Sequence, residues 1–289
     1  MDSFRIRAPT SSAPEPRESN VPERQGGLFP REHGAWSMLI QPFVWACVLE
    51  WRWSWFLIPA AAAMVAVFLA RQPLVVLGRQ KFVWKNERPE SAEARRWLIA
   101  LAAVLIPCAA VLWMRWPVNE YLAFGGGAAA MTAFAAWMTV KNRQRSVPLQ
   151  LISAAGLSSS AAVACLSIGS RMPGWCWWLW TVSAMQAAAG VLVVHARLDA
   201  RVAARKPGAT YDGKPAMAMQ GVLLCLVPFA AMRAWPLGVA LALAAAVNLW
   251  NLRSLSNPEA LAVPLMTVGL RAMALSIAVS LLTVWGLSR

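Results

Sequence analysis

The chain is organised as long apolar runs separated by short polar breaks. Nine runs stand out, at 34–50, 55–77, 97–114, 118–140, 148–168, 175–196, 215–232, 235–252 and 264–286. Their apolar residues are near-continuous, with neither the period of two of a half-buried strand nor the one-sided stripe of a surface helix. A bilayer core needs about 20 mostly apolar residues per helix, so each run predicts a membrane span. The fold class is all-α, a polytopic transmembrane helical bundle of about nine spans. Connections such as "EWRWS", "MRWP" and "RAWP" are too short for anything but tight antiparallel hairpins. The alternate connections, 78–96, 141–147, 197–214 and 253–263, are longer. "AFGGGAAA" (Ala123–Ala130) and "SAAGLSSSAA" (Ser153–Ala162) lack bulk, which lets neighbouring helices approach closely.

Composition sharpens this picture. Only 14% of the 289 residues are charged and 58% are hydrophobic, with a mean hydropathy of +0.49; soluble domains carry about 25% charged residues. A net charge of +14 would suit a nucleic-acid binder, but the apolar runs leave no room for a soluble basic domain, and no nucleic-acid partner is expected. The charge is distributed by side instead. Twenty of the 27 Lys and Arg fall in the N-terminal tail and the long connections, and five fall at the opposite ends of the runs. The positive-inside rule then makes the long connections cytoplasmic, with the N-terminus inside and, after nine crossings, the C-terminus outside. Trp51, Trp53, Trp55, Trp116, Trp175, Trp177, Trp178 and Trp235 cluster at the outer ends, as an interfacial aromatic belt does. Residues 1–29, rich in Pro, Ser, Arg and Glu, lack the apolar core of a signal peptide and predict a disordered cytoplasmic tail; residues 30–289 form the transmembrane domain. The five cysteines contain no CxxC pair and suit the role of small hydrophobic residues.

Ionisable groups at membrane depth are costly and tend to be functional or paired. They gather at the cytoplasmic ends of the runs. Arg31, Glu32 and His33 precede the first, and Arg71 and Gln72 sit near the end of the second. His195 and Asp199, four apart and so on one helix face, close the sixth. With Arg79, Lys85 and Arg88 of the first long connection, they are candidate ligand-binding residues of a cytoplasm-facing cavity. Pro73 predicts a disturbed helix beside Arg71. No metal site is expected from two histidines and lipid-buried cysteines. There is no phosphate-binding G-x-x-x-x-G-K-[ST] loop and no dinucleotide G-x-G-x-x-G after a strand.

"FPREHGAWSMLIQPF" (Phe29–Phe43) resembles the opening of the YwiC-like family of bacterial integral membrane proteins. That resemblance implies a bacterial inner (cell) membrane protein and carries no biochemical activity with it. A second, architectural resemblance is to the UbiA superfamily of intramembrane prenyltransferases, which have nine helices and long cytoplasmic loops. "KNERP" (Lys85–Pro89) looks like that family's N-R-P string. In this alignment Arg71 stands at the asparagine of the family's first acidic motif, and Gln72, Val75 and Arg79 stand at its three aspartates. "HARLDARVA" resembles the second motif, with Asp199 at its first aspartate and Ala203 at its second. The resemblance implies a UbiA-like bundle without the metal site. Mg²⁺ needs several hard oxygen ligands, and one aspartate of five does not supply them. No metal, no cofactor and no metal-dependent prenyl transfer are therefore expected. The exchange of acids for bases leaves a cationic site suited to an anionic headgroup. The expected function is binding of a lipid, quinone or isoprenoid-like ligand, with membrane lipid or an anionic small molecule as partner. Alternatives are a small-molecule transporter or permease and a metal-independent transferase.

Overall fold

In the computed structural model, the described residues are 33–84, 89–143, 146–205 and 211–289. Every regular element among them is helical. The elements are α1 (His33–Glu50), α2 (Leu57–Arg79) with a π-helical extension (Gln80–Trp84), α3 (Pro89–Trp113), α4 (Val118–Val140), α5 (Val147–Ser158), α6 (Ser160–Gly169), α7 (Gly174–Arg205), α8 (Lys214–Arg233), α9 (Trp235–Arg253), α10 (Pro258–Ala262) and α11 (Leu265–Leu287). The predicted tail, 1–29, together with Arg31, Glu32, Lys85, Arg88 and the His33 side chain, lies outside the described residues.

All nine predicted runs are helical, but eight helices among the described residues are long and apolar enough on their own to cross a bilayer. The exception is α1, with 18 residues. Its first residue, His33, is also the first described one. The fifth run is one span in two pieces, broken at Ser159 between α5 and α6. Pro73 does not end α2, which runs on to Arg79. A proline removes one rung of the ladder and leaves the others intact, which membrane helices tolerate.

α7 is the hub. It packs against α1, α5, α6, α8, α9 and α11. The contact faces are built from small side chains: Ala154, Ala161, Ala162, Ala164, Ala187, Ala188, Ala189, Ala240, Ala244 and Ala245 are all buried. Lipid is as apolar as these residues, so association rests on close packing rather than on escape from water. The α2–α4 unit is joined to this centre through a smaller cluster of Ala60, Leu112, Trp116 and Leu166. α3 and α11 remain largely uncovered, with Ile99, Ile106, Met266 and Leu270 exposed, as lipid-facing helices should be.

The helix ends sort into two levels. At one level, groups from two turns converge on the end of α6. Ser54 Oγ donates to the Ser167 carbonyl (2.9 Å), Arg115 Nη2 donates to the Ile168 carbonyl (2.7 Å), and Trp116 Nε1 donates to Ser167 Oγ (3.3 Å). The first two donors satisfy carbonyls that a helix C-terminus leaves open, and the third holds the Ser167 hydroxyl. At the opposite level lie the ends of α2, α4 and α7 and the start of α5.

Candidate functional site

Three of the sequence-predicted residues lie on α2. Arg71 and Arg79 are two turns apart, and the structure brings both guanidinium groups to one residue of α4. Arg71 Nη2 donates to Thr139 Oγ1 (3.4 Å), and Arg79 Nη2 donates to the Thr139 carbonyl (3.5 Å) and to Asn142 Oδ1 (3.4 Å). Thr139 Oγ1 donates back to the Ala135 carbonyl at 2.7 Å. The Arg79 bonds sit at the long edge of hydrogen-bond geometry. Gln72, between them, is half-buried.

The local sequence explains the approach. Gly78 faces Val140, and a Cβ at position 78 would lie 2.8 Å from Val140 Cγ2. α4 ends on Lys141, and Asn142 follows with φ of 56°. Asparagine adopts this left-handed conformation more readily than most residues, and it places Oδ1 toward Arg79. Sequence reasoning missed Thr139 and Asn142, since a lone threonine in an apolar run and a loop asparagine carry no periodic signal.

Beside these arginines is a groove of about 440 Å³, lined by Phe82, Val83, Trp137, Val140 and Lys141. Phe82 and Val83 belong to the π-helical turn and are exposed. Lys141 Nζ lies 4.3 Å from the Trp137 ring centroid and Lys81 Nζ 5.6 Å from that of Phe82, both cation–π geometry. Apolar walls under a cationic rim suit an amphipathic anion.

The other candidates lie on α7. The Gln150 amide nitrogen of α5 is 2.7 Å from His195 Nε2. This contact ties the cytoplasmic half of α7 to the start of α5. Asp199 is exposed. Among the described residues no group of three or more His, Cys, Asp or Glu is arranged to hold a metal ion. Cys165 of α6 and Cys176 of α7 are fully buried in the central core cluster, against which Cys47 of α1 packs.

The helices and their small-residue interfaces define a multi-pass α-helical membrane protein. Over residues 29–165 the chain matches the model of the YwiC-like protein family, from the opening motif into α6, and the likeness is shown over that stretch. No curated protein and no solved structure matches the chain.

Proposed function

We propose that the protein binds an amphipathic anion, a lipid or isoprenoid-like molecule with an acidic head, at the junction of α2 and α4. The supporting observation is the convergence of Arg71 and Arg79 on Thr139 beside the groove of Phe82, Val83, Trp137, Val140 and Lys141. The head engages Arg79 and Lys141, whose donors are only weakly used. The apolar part lies along Phe82 and Trp137. The described residues of the site supply cationic donors that can meet an acidic head directly. On the positive-inside count this end faces the cytoplasm of a bacterial cell, with the N-terminus on the same side. Mass spectrometry of small molecules copurifying with the detergent-solubilised protein tests the reading. The wild type should carry an acidic lipid-like species, and Arg79→Ala together with Lys141→Ala should reduce it by on the order of tenfold. A wild type that carries nothing above the detergent background would overturn the proposal.

A further inference from the structure

A second basic group lies on α7, away from the α2–α4 groove and sharing no residue with it. Arg197 and Arg201 are four apart and lie on one face of the helix. Arg197 is only 6% exposed. Its Nη2 donates to the Ala260 carbonyl, while Arg201 donates through Nε to the Leu261 carbonyl (2.8 Å) and through Nη2 to the Val263 carbonyl. These carbonyls come from the end of α10 and the residue after it. They occupy some of the guanidinium donors but bring no negative charge. The described charges that act on Arg197 are both positive, from Arg201 and from Arg271 of α11. Asp199 lies on another face of α7, and both it and Glu259 are exposed. Arg197 Nε is buried with no partner.

An unneutralised buried cation is costly, and α11, which carries the positive charge of Arg271, packs against α7 here. We propose that Arg197, Arg201 and Arg271 form a clasp for a phosphate-type oxyanion at the junction of α7, α10 and α11. The planar fork of arginine matches phosphate oxygens two at a time. The buried Arg197 Nε supplies an unused donor, and the exposed Arg271 closes the open side. Two sources carry this chemistry: the headgroup of an anionic phospholipid and free inorganic phosphate. Met266, Leu270 and Met273, exposed on α11 beside Arg271, offer an apolar surface along which acyl chains can lie.

The test uses the full-length protein in a non-ionic detergent, titrated separately with phosphatidylglycerol, inorganic phosphate and phosphatidylcholine. Melting temperature and bound mass in native mass spectrometry are the readouts. Phosphatidylglycerol should bind and raise the melting temperature, the more so at low salt, and phosphatidylcholine should not. If millimolar phosphate reproduces the shift and displaces the lipid, the free anion is the ligand; if only the lipid acts, the headgroup is. Arg271→Gln, at an exposed position that the fold tolerates, should weaken binding by about tenfold. Arg201→Lys, which keeps the charge and loses the fork, should weaken it less. Measured on the Arg79→Ala, Lys141→Ala background, where the groove's own anion binding is removed, the Arg271-dependent binding should persist, which separates this site from the groove. Equal binding of phosphatidylcholine, no response to either anion, or undiminished binding by Arg271→Gln would each overturn the clasp.

Discussion

Gly156 and Gly238 are both crowded, yet they predict opposite tolerances. A Cβ on Gly156 would run into the thioether end of Met131. Methionine is unbranched and adaptable, so that end can turn aside, and alanine in a helix gains up to about 1 kcal/mol over glycine. A Cβ on Gly238 would meet Ala231 Cβ at 2.7 Å, Ala231 Cα at 3.1 Å and the Val227 carbonyl oxygen at 3.2 Å. These are backbone atoms and a first side-chain carbon of α8, and none can move without shifting the helix. Gly238→Ala should therefore destabilise by about 1–3 kcal/mol, while Gly156→Ala should be neutral or slightly stabilising. Melting of the two variants in the same detergent checks this, and equal losses would refute the distinction. The same logic explains Gly78, where a side chain would meet Val140 and hold α2 away from the α4 residues that Arg71 and Arg79 reach.

At the scale of elements, α10 is the piece most dependent on a few polar groups. It has five residues, too few to be stable alone. Asn257 caps it by accepting a hydrogen bond from the Glu259 N–H at 2.9 Å, and Arg197 and Arg201 hold its far end. Asn257→Ala should cost about 0.5–2 kcal/mol at that cap. The cost should appear as faster hydrogen exchange confined to residues 258–263, with the global melting temperature unmoved. Protection equal to the wild type would show that the arginines alone suffice. The element was not legible in the sequence, where 253–263 has the composition of a connection. The break at Ser159 was hidden too. "GLSSSAA" reads as a continuous small-residue helix, and the interruption lies in backbone angles that serine permits without announcing. Long apolar runs, by contrast, left little choice beyond helix. Arg71 was legible as a cation inside an apolar run, and Arg79 through its place in the alignment with the first acidic motif. In the sequence Arg197 only closes the sixth run beside His195 and Asp199, because its burial depends on α10 folding back over it. The extension of α7 to Arg205 has the same cause, since "HARLDARVAAR" is helix-forming but no longer apolar.

At the scale of the whole molecule, the packing of α1 argues that it crosses the membrane. α1 packs along α6, and Ala46 and Cys47 near its end share a core cluster with Cys165 of α6. Midway along, Ser276 Oγ of α11 donates to Gln41 Oε1 of α1 at 2.7 Å, with Gln186 Oε1 of α7 at 3.3 Å. A helix lying on the surface could not share a mid-membrane polar group with α7 and α11 and also end beside the end of α6. Counting α1 as the ninth crossing places the two chain termini on opposite sides; eight crossings would place them on the same side. The arginines of the tail favour the cytoplasm for residues 1–32. Reporter fusions decide between the two arrangements. A fluorescent protein that matures only in the cytoplasm should be bright when fused before Met1 and after Arg205. Alkaline phosphatase, active only outside, should be active when fused after Arg171 and after Arg289. A dark N-terminal fusion with the other three results unchanged would mean that α1 does not cross. It would also put His33 on the far side of the membrane from Arg79 and His195, and so remove it from any site they share.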